Sequence, residues 1–319
     1  MEEIVLPDLS EVSEGDDSER ALRTYYNYIS AFVKTIQDIY PGDPISGLLA
    51  QQGSLPEVQE LRADCNTNSE IETCFRRGHF TIQAMKQLPV AKIPQLAFSA
   101  NYWLPVQAYY AVHGIGLATL LCLNGSRPQY HSTFLSHMSG IIEKYFPRPL
   151  STTIAGVRPH IEISGINVTG SDVSRQSNLE HPPYGKPELH VAKCLVTTRE
   201  RDIDEQFAKA RCRKVKPNRK YRQLKPSEKS QIIASLHKTT LCDFMYRIRI
   251  RSNYDDPDMY IFGQNDVTDA AKYYLNLVTL TEAVVACLEN LIQRRIGETH
   301  FATIKERVLQ RTSRHAILV

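Results

Sequence analysis

No two of the seven cysteines stand in a CxxC spacing, and their number is odd. Neither a disulfide framework nor a cysteine zinc site is therefore expected, and a reducing compartment is the default setting. The chain also lacks a GxxxxGKS/T phosphate loop, an HExxH metal helix and any internal repeat, which leaves P-loop and zinc-hydrolase chemistry without a motif. No export signal is expected either. Residues 1–20 carry Glu2, Glu3, Asp8, Glu11, Glu14, Asp16, Asp17 and Glu19 against Arg20 alone, the reverse of a positively charged signal start. The most apolar stretch, Val106 to Leu123, contains Gln107 and His113 and falls short of the ~20 apolar residues of a bilayer span. No metal, cofactor or membrane is expected, and the setting read from these absences is cytoplasmic. A net charge of +3 at pH 7 is too small to imply nucleic-acid binding by itself.

What is present is ample apolar material: 319 residues, 42% of them apolar, enough for one large domain or two modest ones. Leu22, Tyr25, Tyr26, Ile29, Phe32, Val33, Ile36 and Ile39 recur at helical spacing after a Ser18 cap and stop at Pro41-Gly42. Helices are also expected over Glu57–Asp64, Glu70–Leu88 and Ser132–Tyr145. The nearly all-apolar stretch from Pro105 to Leu123, ended by Asn124-Gly125, belongs at the centre of a bundle. Thr152–Ile154, His160–Ile166 and Leu189–Thr197 are β-prone. Helical pattern returns at Arg201–Val215. It then runs from Ser227 along Ile232, Ile233, Leu236, Thr240, Phe244, Met245 and Ile248, and again from Val267 to Arg294. The expected fold is mainly α, an antiparallel helical bundle with an irregular, partly β insertion. Its parts are an acidic leader (1–17), a helical extension (18–100), a bundle (101–150 and 226–296), an insertion (151–225) and a C-terminal tail (297–319). The closing helix is expected to pack on Val106–Leu123, burying Tyr274, Leu275 and Val278.

Three features could carry chemistry. Residues 211–229 hold Arg211, Arg213, Lys214, Lys216, Arg219, Lys220, Arg222, Lys225 and Lys229 against Glu228, with Tyr221 among them. Such a local field attracts phosphates, and the ring can stack on an unpaired base; a solvated connection between helices explains the run equally well. Arg247, Arg249 and Arg251 alternate with Ile248 and Ile250, which fits a half-buried strand. On a helix, Arg247, Arg251 and Asp255 instead share one stripe while Arg249 and Asn253 share another. The unbroken apolar face before Ile248 favours the helix. Guanidiniums this close need carboxylates such as Asp255, Asp256 and Asp258, or an external phosphate. The third feature is histidine, since metal-free RNA cleavage needs a base and a cation. Arg-x(4–6)-His spacings at Arg175/His181, Arg294/His300 and Arg295/His300 are too short to be specific.

Two segments together resemble the HEPN superfamily of nucleotide-binding helical domains. Tyr109-Tyr110-Ala111 and the helix running on to Asn124-Gly125 are similar to that family's Tyr-Tyr-Ala helix. Arg249-Ile250-Arg251-Ser252-Asn253-Tyr254 is similar to the Arg-x-x-Ala-Asp-Tyr signature of one branch. The resemblance implies a compact bundle, often a homodimer, that handles RNA or a nucleotide, with a partner protein, in a bacterial toxin–antitoxin or phage-defence system. It places Arg249 at the reacting centre with Asn253 and Tyr254; Arg247, Arg251 and the basic run would be nucleic-acid contacts. His113, on a nearly all-apolar helix, is either a buried structural histidine, the commoner case, or a base at that centre. Where RNA-cutting members carry His, this chain has Tyr254, and a phenol of pKa ~10 is a poor base at neutral pH. Binding without catalysis, a metal-independent ribonuclease using Arg249 and Arg251 with His113 or a partner-chain His as base, and a protein-interaction scaffold are the three readings.

Overall fold

A computed structural model describes residues 17–166, 179, 182–183, 185–212 and 223–316. Thirteen α-helices and one two-stranded sheet make up the described chain, a mainly helical bundle as the patterning predicts. Helix α1 (Asp17–Ile39) buries the periodic stripe from Leu22 to Ile36. Helix α2 (Pro44–Gly53) is capped by Asp43, whose carboxylate accepts from the Ser46 amide at 3.2 Å. Only Pro56–Gln59 (α3) is helical where Glu57–Asp64 was expected. The rest of that stretch is held by Arg295, which donates to the Arg62 carbonyl and pairs with Asp64. Helix α4 (Ser69–Gln87) starts at an Asn68 cap, and α5 (Leu96–Ala100) leads into α6 (Leu104–Asn124).

Helix α6 is the hub. It is buried almost all round and ends where Gly125 takes a left-handed φ of 64°. Helix α4 crosses it at a pair of glycines. A Cβ built on Gly114 would stand 2.6 Å from the Gly78 amide nitrogen, and one on Gly78 would stand 2.6 Å from the Ala111 carbonyl oxygen. The two backbones therefore touch, which only hydrogen side chains allow. After α7 (His131–Tyr145) comes an antiparallel hairpin of β1 (Thr153–Val157) and β2 (His160–Ser164), with Thr153 opposite Ser164.

Two expectations fail beyond the hairpin. Leu189–Thr197 is not β but lies in a long helix, α8 (Pro187–Cys212). Pro187 opens it, and its apolar run packs on α1 and β1, so tertiary burial overrides β propensity. The helix expected from Ser227 onward is broken in two, α9 (Pro226–Ser235) and α10 (Leu241–Ile250). Between them Thr239 exchanges both backbone hydrogen bonds with Ile154 at 2.9 Å, and Thr240 restarts the helix through a capping box with Asp243. The second half ends in a π-helical turn, Arg251–Asp255, followed by α11 (Asp258–Phe262), α12 (Val267–Ile296) and α13 (Glu298–Ala316).

Helix α12 packs on α6 as predicted. Tyr274 and Val278 are buried, but Leu275 is 40% exposed, because it falls on the far side of the stripe. One core cluster runs from Leu22 on α1 to Val308 on α13. Helix α6 extends beyond Val106–Leu123 to 21 residues, so that, against the sequence expectation, it is long and apolar enough to cross a membrane, as is α12; yet 78% and 67% of those stretches are buried within the fold.

Candidate functional site

On helix α10 the alternation of Arg and Ile does not make a two-faced strand. At 100° per residue it sends Arg247 and Arg251 one way and Arg249 another. Arg247 turns toward α1 and α8, donating to Thr198 Oγ1 at 3.2 Å with its guanidinium 5.6 Å from the centre of the Tyr25 ring. Arg251 donates to Asp256 Oδ2 at 2.9 Å. Arg249 turns toward α6. Its Nη2 donates to the Tyr110 hydroxyl at 2.9 Å. Its guanidinium carbon lies 5.8, 5.3, 5.7 and 5.5 Å from the ring centres of Tyr109, Tyr110, Tyr246 and Tyr254.

Arg249 as a residue is 8% exposed; its guanidinium has no carboxylate partner among the described residues, and its buried Nε makes no hydrogen bond. Burying a charge without a counter-ion is costly. Four aromatic faces return part of that, at about 0.5–2 kcal/mol each. Two of the four rings reach solvent, Tyr110 at 38% and Tyr254 at 64% exposure. The Ser252 hydroxyl donates to the Tyr102 carbonyl at 2.8 Å and so ties the π-turn to the start of α6.

Two imidazoles complete the site. The rings of His113 on α6 and His131 at the start of α7 lie 5.1 Å apart, and the Tyr109 hydroxyl is 2.7 Å from His131 Nδ1. Burial raises the Tyr109 pKa further above its already high ordinary value, so its proton stays on. That proton has His131 Nδ1 as its acceptor, and the neutral ring then carries its own hydrogen on Nε2. Burial, then the charge His131 gains on protonation and the charge of Arg249, pushes the His113 pKa down to about 4. Burial and Arg249 lower that of His131. At neutral pH the site therefore offers Arg249, the Tyr110 hydroxyl and His131 Nε2–H as donors around a single uncompensated positive charge. Its polarity suits an oxyanion.

The fold brings Arg249, Tyr254 and His113 together, with His113 buried among aromatic rings. Asn253 is half-buried in the same turn. Arg247 and Arg251 are separated from them on the opposite side of the helix, and Arg251 is neutralised by Asp256. Arg211 is exposed at the end of α8; Arg213, Lys214, Lys216, Arg219, Lys220, Tyr221 and Arg222 lie outside the described residues, as do Arg175 and His181. His300 is exposed on α13, while Arg295 is engaged by Asp64 and by the carbonyls of Arg62 and Cys122. Sequence reasoning missed His131, Tyr109, Tyr110 and Tyr246 as site residues. The signal was there in helical spacing, since Tyr109 and Tyr110 stand four and three residues before His113, and Tyr246 three before Arg249.

A second polar cluster supports the base of helix α10. Asp243 Oδ1 is 2.7 Å from His237 Nε2, while its Oδ2 accepts from the Thr240 amide at 2.8 Å and the Thr240 hydroxyl at 2.9 Å. Nearby Asp202 is pushed up to about 7 by burial and by the carboxylates of Asp243 and Glu205. A carboxyl whose folded pKa lies above its unfolded value, ~3.9, opposes folding more and more as pH climbs between the two, then by a constant amount. The stabilisation from Asp202→Asn should therefore be smallest at pH 4, grow up to about pH 7 and level off above. Melting temperatures of both proteins from pH 4 to 8 would show it. A difference that does not change with pH would refute the assignment.

Comparison with known protein families, characterised proteins and solved structures finds no match to this chain.

Proposed function

We propose that this protein binds RNA or a nucleotide through a phosphate held at Arg249, without cutting it. The carrying observation is a buried guanidinium that lacks a carboxylate among the described residues and is ringed by four tyrosines and two imidazoles. Positive charge draws the phosphate and exposed aromatic rings stack on unpaired bases, the combination used for single strands. The resemblance to HEPN domains supports the same class of ligand and adds the setting, a bacterial conflict system with a homodimeric protein. The basic run 211–229 would extend the contact along the strand.

Catalysis is the second reading, favoured by the two imidazoles beside Arg249. A base of pKa about 4 is a feeble acceptor at neutral pH, and His131 Nδ1 is already taken by Tyr109; both observations argue for binding alone.

Fluorescence anisotropy with a labelled single-stranded RNA tests the reading. Affinity should fall steeply with salt, with a log–log slope of roughly −0.7 per phosphate contact. Arg249→Ala should weaken binding and flatten that slope by about one contact, and changing Arg219, Lys220 and Arg222 together to Ala should flatten it by about three. Salt-independent binding, or none at low salt, would leave only a helical scaffold. RNA cleavage in EDTA that Arg249→Ala abolishes would establish the ribonuclease instead.

A further inference from the structure

We propose that the Arg249 cage receives the terminal phosphate of a single-stranded RNA, contacted by Arg249, Tyr110 and His131, with the adjoining base stacked on Tyr254. This rests on the nucleic-acid reading above and narrows it. An internal phosphodiester arrives with chain on both sides and needs an open trough. Arg249, 8% exposed, lies instead among four tyrosine rings, an approach that suits a chain end whose backbone leaves on one side. Tyr254 is the most open of the four rings, 64% exposed and 5.5 Å from the guanidinium, so the base next to that end has a face to lie on.

Charge makes the same distinction. A terminal phosphate carries up to two negative charges on three free oxygens, whereas a phosphodiester carries one. Three donors stand close together: Arg249 and the Tyr110 hydroxyl 2.9 Å apart, and His131, its ring centre 6.3 Å from that of Tyr110, with its hydrogen on Nε2. The groups facing His131 are Tyr109, Tyr110 and His113 from α6, and Tyr246 and Arg249 from α10. Tyr254 from the π-turn completes the cage around Arg249. Arg127, paired with Glu70, acts on His113, and Glu205 acts on Tyr246. The imidazole therefore meets positive charge from Arg249 until a dianion arrives. It then takes up one proton from solvent on Nδ1, and the Tyr109 hydroxyl turns from donor to acceptor. The ligand dianion ends opposite two cations.

The test is calorimetry on the full chain with a short oligouridylate bearing a 5′-phosphate, a 3′-phosphate or neither, and with UMP, in buffers of different ionisation heat at pH 7. One phosphorylated strand should bind about tenfold or more tighter than the unphosphorylated one, the gain expected of one added charge-assisted contact. Its binding should take up protons. His131→Gln, which keeps a hydrogen-bonding side chain, should abolish the uptake and most of the preference. Tyr254→Ala should weaken the phosphorylated strand and UMP alike, since each carries the base that lies on that ring. Equal affinity for phosphorylated and unphosphorylated strands, lost in Arg249→Ala, overturns this inference and leaves the nucleic-acid reading standing. UMP binding as tightly as the strand overturns the stacked-strand part and makes the ligand a free nucleotide. If no strand binds at all, the function proposed above fails, and this inference with it.

Discussion

Replacing Arg249 with methionine is expected to make the protein more stable and to weaken RNA binding sharply in the same step. The stability half follows from the missing counter-ion. Arg249 is buried, with an unsatisfied Nε and one hydrogen bond, to Tyr110. Removing an ordinary buried ion-pair partner strands the opposite charge; here no carboxylate among the described residues is left behind. Methionine is close in length and fills space between aromatic rings through favourable sulfur contacts. The lost cation–π attraction offsets part of the relieved desolvation, and a net gain of about 1–2 kcal/mol is expected, within the range seen when buried charges give way to apolar groups. The binding half has the opposite sign. Truncating a buried charged contact costs about 2–5 kcal/mol of affinity, at least some 30-fold. A thermal melt together with RNA titration reads both. A lower melting temperature with unchanged affinity would mean that Arg249 serves the fold by holding the tyrosines together, and the site would have no ligand. Stability given up at a site whose local chemistry is unfavourable is a common sign of function.

Gly114→Val should abolish cooperative folding. The first added carbon alone would stand 2.6 Å from the Gly78 nitrogen, 2.8 Å from its Cα and 3.2 Å from the Cys74 carbonyl oxygen. All three are backbone atoms of α4, so no rotamer change relieves the clash and the helices must separate. Separation would open the contact beneath Phe75, Ile82, Ile115 and Val112, all buried. Overpacking usually costs about 1–3 kcal/mol where side chains can yield; a rigid backbone contact in the central helix pair puts this substitution above that range. Gly140→Ala on α7 is the control. Nothing lies within 4 Å of its built Cβ, and removing a helical glycine there should stabilise by about 1 kcal/mol. Circular dichroism melts of the two variants decide the matter. A wild-type melt for Gly114→Val would show that α4 and α6 do not meet as described.

The sequence was most legible where burial repeats on one helix. The α1 stripe, the apolar α6 with its glycine stop, and the α12 pattern all rest on local periodicity, which any packed arrangement must satisfy. Leu275 shows the limit: it lies beside Tyr274 in sequence, but one step around the helix turned it to solvent. Leu189–Thr197 misled because β-branched and apolar residues suit a strand as well as a helix buried against α1. The break before α10 was hidden because Thr240 is both an acceptable member of an apolar stripe and a good cap. What decided for the cap was Thr239 pairing with Ile154, a partner far away in the chain.

Taken alone, the sequence determined that this protein is built mainly of helices around an apolar central one, and it set three arginines, Arg247, Arg249 and Arg251, within five residues. Periodicity and residue chemistry are properties of short segments, and they survive being read one segment at a time. Only the tertiary structure decided which arginine faces the tyrosines and which meets Asp256, and that His131 and Tyr109 join the site from separate helices. Charge compensation depends on distance in space, and a linear chain does not state which of its acids will be near which of its bases.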